Sequence, residues 1–136
     1  MNIFAEVKKL NFPIGKYIIV GSGIMAALGL KEANDIDLVV APDIFQKCID
    51  GSWEKVDWTL PDHRGQFYLR RGLVELYLDV NCGNFNPTLE ELLSRVVTID
   101  GISFISLEDC LKFKKEYGRE KHLKDVKTIE DYLAKH

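Results

Sequence analysis

The apolar positions of the chain change period several times. Near the start Ile3, Phe4, Val7 and Leu10 recur at helical spacing, and "NFPIG" then breaks the pattern, which predicts a short amphipathic helix. "YIIV" predicts a short buried strand. From Ser22 to Leu30 the chain is apolar nearly all round, through Ile24, Met25, Ala26, Ala27, Leu28 and Leu30, which predicts a buried helix with Ser22 capping its first turn. "DIDLVVA" predicts a strand with both aspartates at its start, and "PDIFQKCID" a helix opened by proline and aspartate.

Between Trp53 and Val80, "KVDWTL", "QFYLR" and "LVELYLDV" are three β-rich runs separated by "PDHRG" and "RG". That spacing predicts antiparallel hairpins without intervening helices. Thr88 with Glu91 predicts a capping box, and "RVVTIDGISFISL" a two-stranded turn around Asp100 and Gly101. Ser106 with Asp109 caps a helix carrying Leu107, Leu111, Phe113 and Tyr117 and ended by Gly118. A last helix carries Val126, Ile129, Tyr132 and Leu133. The expected fold is α+β: a mixed, largely antiparallel sheet flanked by helices, with further helices at the C-terminal end. No repeat or linker interrupts it, so residues 1–136 are expected to form a single domain.

Composition narrows the function. A net charge of −3 and a pI near 5.6 give no global attraction to nucleic acid. Cys48, Cys82 and Cys110 are odd in number and form no CxxC pair, which argues for buried thiols over a disulfide framework or zinc ribbon. The weakly polar run from Tyr17 to Leu30 is 14 residues long, short of the roughly 18 to 20 that span a bilayer, so no membrane helix is expected. The first ten residues place their charges after the apolar positions, the reverse of a secretory signal, and a reducing cytoplasm is the expected setting.

The glycine-rich turn after "YIIV" admits two readings. In the first, Gly21, Gly23 and Ala26 satisfy the dinucleotide fingerprint, with Asp43 as the ribose-binding acid 20 residues beyond Gly23. The downstream pattern lacks the alternating strands and helices such a fold needs. In the second, Asp35 and Asp37 project from one face of a strand, because side chains alternate with period two. Two carboxylates about 6 Å apart repel by roughly 3 kcal/mol at an effective dielectric near 20. A cation or a proton between them removes that cost, and Mg²⁺ typically shares such carboxylates with substrate phosphates.

In these residues the chain resembles the polymerase-β-like nucleotidyltransferase superfamily. Its signature is an apolar residue, Gly, then Gly or Ser, about ten residues, and Asp-apolar-Asp. Val20, Gly21 and Ser22, followed after 12 residues by Asp35, Ile36 and Asp37, match it. The family's third carboxylate on a later strand points to Asp79, with Glu75 on the same face as the alternative. Lys31 stands where many members have arginine. Lys114, Gly118, Arg119 and Lys121 match the C-terminal run of small members, with His122 in place of the usual Asp and Asp125 keeping the next acidic position.

The resemblance implies an Mg²⁺-dependent transfer of a nucleoside monophosphate from an NTP to an acceptor hydroxyl, with release of pyrophosphate. Asp35, Asp37 and Asp79 would be the catalytic and metal residues, for two ions, while Gly21, Ser22, Lys114 and Arg119 would bind the nucleotide. The acceptor class stays open among small molecule, protein and RNA. So small a chain has little surface left to grip an acceptor, which admits a partner protein or a homodimer and, as the alternative, a non-catalytic antitoxin-type subunit. Residues 111–127 hold seven Lys and Arg against three acids, a pattern that also suits a solvated helical face. Arg70 and Arg71 are expected to guard an edge strand, and His63, His122 and His136 to be surface residues.

Overall fold

The computed structural model describes residues 2–59, 63 and 65–136; the side chain of Lys121 and much of "PDHRG" lie outside that description. Among the described residues, seven strands form one mixed sheet: β1 (Tyr17–Val20), β2 (Ile36–Val40), β3 (Glu54–Asp57), β4 (Phe67–Arg71), β5 (Val74–Tyr77), β6 (Val97–Ile99) and β7 (Ile102–Phe104). Their order is β3-β4-β5-β2-β1-β7-β6. β2 with β5 and β1 with β7 run parallel, and the other neighbours run antiparallel. The expected mixed α+β architecture is present.

The central strands are the most apolar. Ile18, Ile19, Leu38 and Leu76 are fully buried, as strands covered on both faces require. Helices α1 (Ile3–Leu10), α2 (Gly23–Ala27), α3 (Pro42–Asp50), α4 (Leu89–Ser94), α5 (Leu107–Tyr117) and α6 (Glu120–Lys135) accompany the sheet. Local signals act as their chemistry dictates. Thr88 and Glu91 form the reciprocal capping box, Ser106 accepts from the Asp109 N–H, and Gly118 ends α5 in the left-handed region. Asp100 and Gly101 both have positive φ, the requirement of a two-residue hairpin turn.

Two expectations need correction. α2 stops at Ala27, three residues short of the apolar run, and the Ser22 side chain makes no capping bond. Arg70 and Arg71 lie on β4, an interior strand. Arg70 instead pairs with Glu54 at 2.9 Å across the ladder, and Arg71 covers the Trp53 ring and donates to the Gly51 carbonyl.

Candidate active site

Because β1 and β2 are antiparallel, the end of one lies beside the start of the other, and Val20 is registered with Asp37. The glycine turn and the two aspartates thus meet at one end of the sheet. Gly21 has φ +66°, and a Cβ there would stand 3.1 Å from Asp37 Oδ2. Any other residue meets both a strained backbone and the carboxylate. A Cβ on Gly23 would overlap the Ile19 side chain, so this glycine serves the packing of α2 on β1.

On its other side Asp37 is registered with Glu75 of the parallel strand β5. One oxygen from each of Asp35, Asp37 and Glu75 lies within 4.8 Å of the other two. The Tyr77 hydroxyl donates to Glu75 Oε1 at 2.8 Å. Burial, followed by the charges of Asp35 and Glu75 and a hydrogen bond with Glu75, pushes the Asp37 pKa up to about 8, against partial opposition from Lys114. Without a cation, Asp37 therefore holds a proton at neutral pH. Its Oδ1 is buried without a hydrogen-bond partner, an arrangement native structures seldom leave uncompensated. The residues fit Mg²⁺: the donors are all carboxylate oxygens, the ligand type of a hard cation, and one buried oxygen lacks a partner.

Asp79 stands apart from this group. It lies two residues beyond the end of β5, where its Oδ1 is 3.0 Å from His63 Nε2 and accepts from the Asn81 N–H at 3.1 Å. The chain bends at Leu78, just past the end of β5, so strand alternation no longer sets the position of Asp79 relative to Glu75. The structure therefore groups Glu75, the sequence alternative, with Asp35 and Asp37. His63, expected at the surface, is only 4% exposed and stacks on Trp58 with ring centroids 3.6 Å apart. Trp58 and His63 both lie outside the strands, where alternation gives no guide to burial.

The same cleft also carries basic side chains. Lys114, on α5, is 3% exposed and donates to Ser22 Oγ and to Asp125 Oδ2, each at 2.9 Å. The Ser22 hydroxyl thus faces Lys114 instead of capping α2. Lys31 donates to the same Asp125 oxygen at 2.8 Å. Two ammonium groups on one oxygen are less than about 6 Å apart, where unit charges repel by roughly 3 kcal/mol at an effective dielectric of 20. Asp125 offsets that repulsion. Burial opposes its ionisation, yet the hydrogen bonds from Lys31 and Lys114 hold its carboxyl below the usual range.

Gly21, Ser22, Asp35, Asp37, Lys114 and the exposed Arg119 line one cleft of about 650 Å³. His122 also lines it, with its ring 5.1 Å from that of Tyr117. Cys110 borders the cleft beside the Gly21 carbonyl, and burial raises its thiol pKa to about 11, which keeps it protonated. Cys48, Cys82 and Cys110 form no disulfide.

The dinucleotide reading of the glycine turn loses its geometry. It needs parallel strands on either side of the helix, whereas β1 and β2 are antiparallel. Asp43 pairs instead with Lys16, which precedes β1, a full strand length from Gly21. No protein-family model matches this sequence, and neither the curated proteins nor the solved structures contain a significant match to it.

Proposed function

We propose that the chain is an Mg²⁺-dependent nucleotidyltransferase of the polymerase-β-like type, moving a nucleoside monophosphate from an NTP to an acceptor hydroxyl. The observation that carries this reading is that Asp35 and Asp37, whose carboxylates cluster with that of Glu75, line one cleft with Lys114, which is hydrogen-bonded to Ser22. Carboxylates suit a divalent cation, and ammonium groups suit phosphate oxygens.

Bound Mg²⁺ would stabilise charge on the entering and leaving oxygens. Lys114 and Arg119 would meet the charge of the polyphosphate. The Ser22 oxygen already accepts from Lys114, which leaves its own O–H as the donor toward a phosphate. In the transfer, the acceptor oxygen bonds to the α-phosphorus as the bond to the β-phosphate bridge oxygen breaks, and pyrophosphate departs. The acceptor's proton passes to Glu75 Oε2, since Oε1 is engaged by Tyr77. Asp79, which contacts His63 instead of the carboxylate group, is not needed in this scheme.

The test is pyrophosphate release from the four NTPs with Mg²⁺, in the parent and in Asp35→Asn, Asp37→Asn and Glu75→Gln. Loss of at least about a hundredfold in each variant supports the reading. Equal release from parent and variants removes it. Metal-dependent NTP binding without any release would favour a nucleotide-binding subunit over an enzyme.

A further inference from the structure

Building on the nucleotide reading, we propose that Asp125 is the positioning residue of a polyphosphate subsite, its Oδ2 holding Lys31 and Lys114 together to receive the β- and γ-phosphates of an NTP. The three side chains come from separate parts of the chain: the loop before β2, α5 and α6. They converge on one carboxylate oxygen, at 2.8 Å from Lys31 and 2.9 Å from Lys114.

The geometry favours a ligand site over a simple clamp between α5 and α6. One lysine would suffice for a clamp, and Lys114 already supplies it. Lys31 reaches the same oxygen from outside the helical pair, and its side chain remains 38% exposed. Two cations against one anion leave the cluster with a surplus positive charge on the cleft wall, where all three residues are found. An ammonium has three N–H donors. Lys114 uses two of them, on Ser22 and Asp125, and the one bond described for Lys31 goes to Asp125. Donors therefore remain for phosphate oxygens, and Asp125 sets where they stand. Each lysine alone has a long, rotatable stem, whereas the shared carboxylate makes the pair a preorganised site.

The experiment measures, with the full chain and Mg²⁺, the affinity for inorganic tripolyphosphate and for each NTP and its corresponding monophosphate. In Asp125→Asn, tripolyphosphate and NTP binding are expected to weaken about tenfold or more, as for a lost set of charge-assisted hydrogen bonds, with monophosphate binding nearly unchanged. The preference for tri- over monophosphate then collapses, and Asp125→Glu restores part of it. Lys31→Met changes a part-exposed position that leaves the Lys114–Asp125 pair intact, and should reduce the same preference by about fivefold. Folded variants that keep the parent's preference would overturn the proposal, as would equal weakening of tri- and monophosphate. If the parent binds neither tripolyphosphate nor any NTP, the nucleotide reading fails and this proposal with it. An unchanged preference in variants of a parent that does bind NTP removes only the role of Asp125.

Discussion

Asp37 and Glu75 stand abreast on neighbouring parallel strands, with the hydroxyl of Tyr77 donating to Glu75 from two residues further along β5. This register, rather than the alternation of side chains alone, decides which later acid joins the aspartate pair. Glu75→Gln should therefore lower Mg²⁺-dependent turnover at least about a hundredfold, while Asp79→Asn changes it less than about tenfold. Steady-state pyrophosphate release compares the two, and the reverse ranking would return the third position to Asp79.

Protonation of Asp37 has a consequence for stability. Its pKa is about 8 in the folded chain against 3.8 ordinarily, so the folded form keeps a proton that the unfolded form releases between those values. Raising the pH through this window should destabilise the metal-free protein, by at most about 1.4 kcal/mol per pH unit. Thermal denaturation between pH 5 and pH 8 in a chelator should show Tm falling. Asp37→Asn, which cannot ionise, should flatten that slope and be the more stable form at pH 8. A parent slope that persists in Asp37→Asn contradicts this.

Gly21→Ala joins two costs at one position. The left-handed backbone there costs an L residue about 1–2 kcal/mol, and the new methyl crowds Asp37 Oδ2. Denaturant unfolding should report that loss, and Mg²⁺ affinity should fall with it. Gly101→Ala is the control: its φ is also positive, but nothing lies within 4 Å of an added Cβ, so it should lose stability without losing metal affinity.

Away from the cleft, Arg95 Nε donates to Asp109 Oδ2 at 2.9 Å; the Asp109 side chain is almost wholly buried and its Oδ1 has no partner. Arg95→Met leaves that carboxylate without its cation. Because Arg95 is itself 43% exposed, the cost is discounted from that of a fully buried pair to about 1–3 kcal/mol. Urea unfolding measures it, and the affinity for NTP should not change.

Much of the fold could be read from local chemistry. Thr88 with Glu91, Ser106 with Asp109, Gly118, and the Asp100–Gly101 turn each satisfy a backbone need within a few residues, so their signals are self-contained. The aspartate pair was legible for the same reason, since Asp35 and Asp37 are two residues apart, although Asp35 stands just before β2 rather than on it. What short-range pattern does not carry is the partner across the sheet. Glu75 joins the site through a pairing between strands far apart in sequence. Ser22 has the composition of a helix cap, but Lys114, 92 residues away, takes its hydroxyl. The burial of His63 depends likewise on its stacking against Trp58.

The central claim is that Asp35, Asp37 and Glu75 hold Mg²⁺, and calorimetric titration of the full chain with Mg²⁺ at pH 7 tests it most directly. Repeating the titration in buffers of different ionisation enthalpy counts the protons released. A cation that displaces the proton of Asp37 should release close to one proton per binding event. Asp37→Asn should lose both the binding and the release. Mg²⁺ binding of equal strength in the parent and in Asp37→Asn would contradict the assignment.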